Sequence, residues 1–144
     1  IEMKIKIKNI LILLSLLSVV FVSGCVANVA YQRLIHDCAT DNIAADLEVK
    51  EDSFYKTLNV EVFNTGSSEL DYTTKIELPN NVRLYDSSKI QDLGLMSPDE
   101  SRIAKYNLNW EEHADSGKYK FSILISTEEG NEVWCTKEIQ YKKD

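Results

Sequence analysis

The residues with which this chain could do covalent or metal chemistry are few: three cysteines (Cys25, Cys38, Cys135), two histidines (His36, His113) and scattered acids. A blue-copper centre needs one Cys, two His and usually a weak axial ligand. No His follows Cys135, and Met96 is the one Met beyond the N-terminal region. Cys38 and Cys135 also lack the closely spaced partners of a zinc site. Hydrolysis by an activated nucleophile would want a Ser or Cys beside an oriented His, and there is no G-x-S-x-G. His36-Asp37 and Glu111-Glu112-His113 therefore read as solvated loop residues. Calcium would want converging oxygens. Asp37 with Asp41, or Glu111, Glu112 and Asp115 beside Gly117, are the weak candidates, although no EF-hand pattern accompanies them. The reading is no catalytic residue, no cofactor and no resident metal.

Aromatic residues offer the remaining chemistry. Phe54, Tyr55 and Phe63 fall off the core-facing phase of their segments, and Trp134 alternates against Val133 and Cys135. Phe63 and Trp134 are candidates for one partner- or carbohydrate-binding face. The alternative is that the N-terminal segment or a loop covers them.

The N-terminus says where such a surface would act. Lys4, Lys6 and Lys8 precede an apolar run from Ile10 to Val22, broken only by Ser15 and Ser18. This is the layout of a secretory signal peptide. Its thirteen residues fall short of the roughly 20 that a membrane-crossing helix needs, so an uncleaved span is the lesser alternative. Val22-Ser23-Gly24-Cys25 resembles the lipobox of prokaryotic lipoproteins, in which the signal is cut before the Cys and the sulfur carries lipid. The resemblance implies residues 1–24 as signal peptide, Cys25 as the lipidation site and a position outside the cytoplasmic membrane. With Cys25 committed to lipid, Cys38 and Cys135 remain, and an exported compartment permits their oxidation. A disulfide between them is expected; two buried free thiols or an under-ligated metal pair are the alternatives.

The whole chain carries 16 Lys and Arg against 23 Asp and Glu. Removing residues 1–24 takes away Lys4, Lys6, Lys8 and Glu2, leaving 120 residues with 13 cations, 22 acids and net charge −9. That is one domain's worth of chain. Its surface repels nucleic acid, so no nucleic-acid partner is expected.

Residues 25–42 read as a lipid-anchored tether, with weak helical spacing in Val29, Ala30, Leu34 and Ile35. From Ile43 the period becomes two. Ile43 to Val49, Leu58 to Val62, Tyr72 to Leu78, Ile90 to Met96, Ala104 to Trp110, Tyr119 to Ile125 and Val133 to Ile139 each alternate, and Val82 to Tyr85 suggests a short edge strand. Turn formers punctuate them: Asn64-Thr65-Gly66-Ser67-Ser68, Pro79-Asn80-Asn81, Ser97-Pro98-Asp99-Glu100 and Glu128-Glu129-Gly130-Asn131. Seven to eight short strands with one dry face each predict an all-β antiparallel sandwich over residues 43–141, with residues 142–144 as a tail. Parallel α/β architecture is excluded.

Asp115-Ser116-Gly117-Lys118-Tyr119 resembles the tyrosine corner of immunoglobulin-like domains, which sets a Tyr at the start of the penultimate strand. The layout from Asp46 to Val133 is also similar to the cell-adhesion-related (CARDB) domain of prokaryotic surface proteins. Asp46-Leu47-Glu48-Val49, the run Leu58 to Ser67, the Ser97-Pro98-Asp99-Glu100-Ser101 turn and Gly117-Lys118-Tyr119 carry that likeness. It implies an extracytoplasmic binding or spacer module of the cell envelope without catalysis, partnered by an envelope protein or glycan. An accessory subunit of a membrane complex and a calcium- or carbohydrate-binding module are the alternatives.

Overall fold

The computed structural model describes residues 31–51 and 55–144. The expected signal peptide over residues 1–24, Cys25 and Phe54 lie outside the described residues. Nine strands follow a helical segment at residues 31–35: β1 (Cys38–Ala39), β2 (Ile43–Glu51), β3 (Lys56–Asn64), β4 (Leu70–Glu77), β5 (Val82–Leu84), β6 (Ile90–Met96), β7 (Ser101–Trp110), β8 (Gly117–Thr127) and β9 (Glu132–Tyr141). They form a five-stranded sheet, β1-β2-β3-β7-β5, and a four-stranded sheet, β6-β4-β8-β9, with every pairing antiparallel. The chain is an immunoglobulin-like antiparallel β-sandwich.

The period-two alternation explains the layering. Leu58, Val60 and Val62 of β3 face inward with Ala104, Tyr106 and Leu108 of β7. Tyr72 and Ile76 of β4 meet them from the other sheet, with Phe121, Ile123 and Ile125 of β8. Successive residues of a strand point to opposite faces, so each sheet supplies one apolar layer and removes it from water. That burial is the main driving force of the fold.

Polar ties cross between the layers. The buried hydroxyls of Thr74 and Tyr106 lie 2.6 Å apart, and the Tyr72 phenol donates to the Asn42 carbonyl at 2.6 Å. Buried Asn64 ends β3 and is satisfied on every side. Its Nδ2 donates to the Met96 and Ser68 carbonyls, and its Oδ1 accepts from the Gly66 amide. Gly66 is required there by close approach: a Cβ would stand 2.6 Å from Asn42 Oδ1.

The tether expectation is corrected in part. Residues from 31 onward within the 25–42 segment belong to the domain's surface rather than to a free linker. Cys38 and Ala39 pair with Ala45 and Ala44, so the first sheet begins five residues before Ile43. Leu47 N–H donates to Asp37 Oδ2 at 2.7 Å and Asp37 N–H donates to Asp46 Oδ1 at 3.2 Å. Two residues are too short a run for alternation to reveal, and what holds them is tertiary.

Candidate functional site

Three regions of the sandwich gather chemically distinctive side chains, two of them around residues singled out by sequence. The first is the edge where β1 and β9 meet. Cys38 and Cys135 are joined by a disulfide with their Cα atoms 5.7 Å apart, closing one side of the sandwich across a separation of 97 residues. Ile139, two turns of the pleat further along β9, faces the same core. The His36 ring packs 4.6 Å from that of Phe63, on the outward face of β3, and its Nδ1 lies 3.1 Å from Asp46 Oδ2. Ala44, paired with Phe63 across β2 and β3, is also fully removed from solvent.

These contacts correct the proposed shared aromatic face. Phe63 belongs to the five-stranded sheet and is half-buried, with the His36 ring of the segment before β1 packed against it. Trp134 belongs to the four-stranded sheet, between the inward-facing Val133 and Cys135, and its side chain is 50 % exposed. The outer faces of the two sheets of a sandwich point away from each other. Sequence phase separates inward from outward but cannot say which sheet's exterior a residue occupies. Trp134 stands on its own surface; Phe63 does not contribute to it.

The second region is the loop after β7. Glu111 Oε1 lies 2.8 Å from Arg83 Nε, and Glu111 Oε2 lies 3.0 Å from His113 Nε2. His113 Nε2 is also 3.0 Å from Asn81 Oδ1. Both carboxylate oxygens of Glu111 are thus engaged, while Glu112 and Asp115 are exposed. No three His, Cys, Asp or Glu side chains gather as metal ligands among the described residues. The calcium candidates Glu111, Glu112 and Asp115 are not brought together; Arg83, contributed by β5, is the partner that the sequence reading missed. Following them, the Tyr119 phenol donates to the Asp115 carbonyl at 2.6 Å, just where Gly117 opens β8.

The third region, not singled out by sequence, is an aromatic cluster at the end of the sandwich where β3 starts and β7 and β9 finish. Trp110 and Tyr141 stack with ring centroids 5.0 Å apart and planes inclined by 6°, and Tyr119 and Phe121 meet Trp110 edge-on. Lys56 Nζ sits 5.9 Å from the centre of the Trp110 ring, donates to the Gln140 carbonyl at 2.6 Å and pairs with Glu51 at 3.1 Å. Beside it opens a cleft of about 360 Å³ lined by Tyr55, Trp110, Tyr141, Lys56 and Glu51. Tyr141 shares the inward phase of Cys135 and Ile139, the signal by which it could have been found. Stacked on Tyr141 with Lys56 nearby, Trp110 closes the core here rather than offering a free platform.

Burial and neighbouring groups shift four titrations. Burial pushes the Tyr72 phenol up to about 12 and also raises Tyr106, against the opposing hydrogen bond from Thr74. Asp71 is raised by desolvation and by the neighbouring Asp92 and Glu128 carboxylates. Glu100 is lowered by the Ser97 amide and then by Arg102, at 2.9 Å. None of these lies beside a histidine.

No family model and no curated protein matches the chain. Among solved structures it is similar to a FixG-related protein from Vibrio parahaemolyticus, at 12 % identity and a TM-score of 0.54, covering 72 % of this chain and 99 % of that one. It also aligns with the GAE domain of GGA2p from Saccharomyces cerevisiae at 15 % identity and a TM-score of 0.42, covering 74 % of this chain and 96 % of that one. At such identities the likeness to the FixG-related protein is one of fold, a β-sandwich of nearly the same extent.

Proposed function

We propose that this chain is a membrane-anchored extracytoplasmic lipoprotein whose sandwich is a non-catalytic binding or spacer module of the cell envelope. The observation that carries the reading is the Cys38–Cys135 disulfide, thirteen residues beyond the Cys25 of the lipobox-like stretch. Disulfides persist in oxidising compartments, which is where a chain with this N-terminus would be delivered. No helix among the described residues is long and apolar enough to cross a membrane; the attachment proposed here is lipid on Cys25. Durable attachment takes more than one chain, because each buried methylene contributes about 0.8 kcal/mol. The non-catalytic part is supported by the histidines: among the described residues, His36 meets Asp46, and His113 meets Asn81 and Glu111. Neither orients a nucleophile.

The test is mass spectrometry of the N-terminal peptide of protein purified from membranes, alongside a Cys25→Ser variant. The expected result is a lipid-bearing Cys25 at the mature N-terminus and release of the variant from the membrane. An unmodified Cys25, or a cytoplasmic chain with reduced Cys38 and Cys135, would overturn the reading.

Trp134 favours a second reading, an accessory subunit of a membrane complex held at high local concentration by its anchor. Large aromatic side chains are the commonest anchors of protein interfaces. In-cell crosslinking should then return one recurrent protein at fixed ratio; recovery of the chain alone or with wall glycan would favour a spacer or glycan-binding role.

A further inference from the structure

Tyr31, Leu34 and Ile35 occupy positions i, i+3 and i+4 of the helical segment, a spacing that sets three side chains on one face. All three face solvent, with 59 %, 84 % and 52 % of their surfaces exposed. The segment is not loosely hung. His36 N–H donates to the Gln32 carbonyl at 3.0 Å, and the His36 ring is seated on Phe63. Asp37 and Asp46, the nearest carboxylates, are turned into hydrogen bonds with the Leu47 and Asp37 amides and with His36. The one charged side chain within residues 31–35 is the exposed Arg33. A domain of net acidic charge thus presents one small surface that is apolar and carries a cation, while the carboxylates of Asp37 and Asp46 beside it, still open to solvent, are engaged in hydrogen bonds to the domain's own amides and to His36.

The position of this surface along the chain says what covers it. Tyr31 stands six positions beyond Cys25 in the sequence. An extended chain advances about 3.3–3.6 Å per residue, so a Cys25 held in a bilayer keeps Tyr31 within about 20 Å of the headgroups. We propose that Tyr31, Leu34 and Ile35 form a lipid-docking face that lies in the interfacial layer of the bilayer holding Cys25. The proposal rests on the lipoprotein reading above. Apolar and aromatic side chains beside a cation are what an interfacial helix presents to lipid, and the anchor supplies the local concentration that so small a surface lacks alone. Arg33 meets lipid phosphate.

Docking also sets orientation, because the segment is fixed to the outer face of the five-stranded sheet through His36, Phe63 and Asp46. That sheet's first strands then turn toward the membrane. The outer face of the four-stranded sheet, with Trp134, turns away from it and toward other envelope components.

The test uses the full lipidated chain in phosphatidylcholine–phosphatidylglycerol vesicles. A polarity-sensitive fluorophore is attached to a Leu34→Cys variant and, separately, to a Glu129→Cys variant in the β8–β9 turn of the four-stranded sheet. Nitroxide-bearing lipids are expected to quench the label at position 34 severalfold more than that at 129. Equal, weak quenching at both positions while the protein floats with the vesicles overturns the docking face and leaves the anchor standing. A label at 34 that is shielded from aqueous quencher yet untouched by nitroxide lipid overturns it in favour of a protein cover. Failure of the chain to float overturns docking and anchor together.

Discussion

The phenol oxygen of Tyr106 lies 2.6 Å from the hydroxyl of Thr74, a fully buried pair that joins β7 of one sheet to β4 of the other. Leaving one buried partner unsatisfied costs about 1–3 kcal/mol, whereas removing both costs far less. Tyr106→Phe is therefore expected to lower stability by about 1–2 kcal/mol. The Tyr106→Phe, Thr74→Val double variant should recover part of that loss. A double-mutant cycle in denaturant checks it; additive losses would mean the two hydroxyls do not depend on each other.

Alkaline pH should weaken the fold through Tyr72. Its phenol is pushed up to about 12 by burial, from an ordinary value of 10.0. A raised folded value means that the unfolded chain loses its proton first as pH rises. The folded state's advantage is complete below pH 10 and lost progressively toward about 12, on the order of 2 kcal/mol. Tyr106, raised by burial as well, acts in the same direction. Tyr72→Phe should make the pH dependence of stability above 10 shallower without abolishing it, followed by denaturant melts at several pH values. An unchanged slope would mean that Tyr72 ionises without unfolding.

Much of this frame is legible in the sequence because two-residue periodicity and turn formers are local signals. Every alternating run from Ile43 to Ile139 is a strand, and Val82–Leu84 is the short edge strand beside β7. The Cys38–Cys135 bond was legible by elimination once Cys25 was set aside. What was not legible is tertiary. The covering of Phe63 depends on His36, far upstream, and the engagement of Glu111 depends on Arg83 of another strand. Phe63 and Trp134 have the same outward phase, but only sheet order shows that they lie on opposite exteriors.

Asn64 is expected to be the costliest polar residue to replace. Its side chain bonds the Met96 and Ser68 carbonyls and the Gly66 amide, and its own backbone pairs with Glu100 and Asp99. Asn64→Ala strips three partners at once in a buried setting, a loss of about 3 kcal/mol. Asn64→Asp keeps the acceptor for Gly66 but turns a carboxylate toward two carbonyls, so it should rescue little. Thermal or chemical unfolding measures both; a loss under about 1 kcal/mol for the alanine variant would show that water replaces these bonds.

Removing the disulfide should act at two levels. Closing a loop across 97 residues constrains the unfolded chain by at most about 4–5 kcal/mol in the chain-entropy model. Replacing Cys38 and Cys135 by Ser should lower global stability by up to that amount. The second effect is local. β1 consists of only Cys38 and Ala39, paired with β2 alone and held to β9 through the bond. Without the bond, β1 and the segment carrying Tyr31, Leu34 and Ile35 retain the short pairing with β2 and the Asp37, Asp46 and His36 contacts. Hydrogen exchange at residues 36–39 should accelerate well beyond that of β3, β7 and β8, because local opening there no longer requires opening the core. If those amides stay as protected as the core, the β1–β2 pairing and the carboxylate network hold the segment in place without the bond. The disulfide would then act on global stability only.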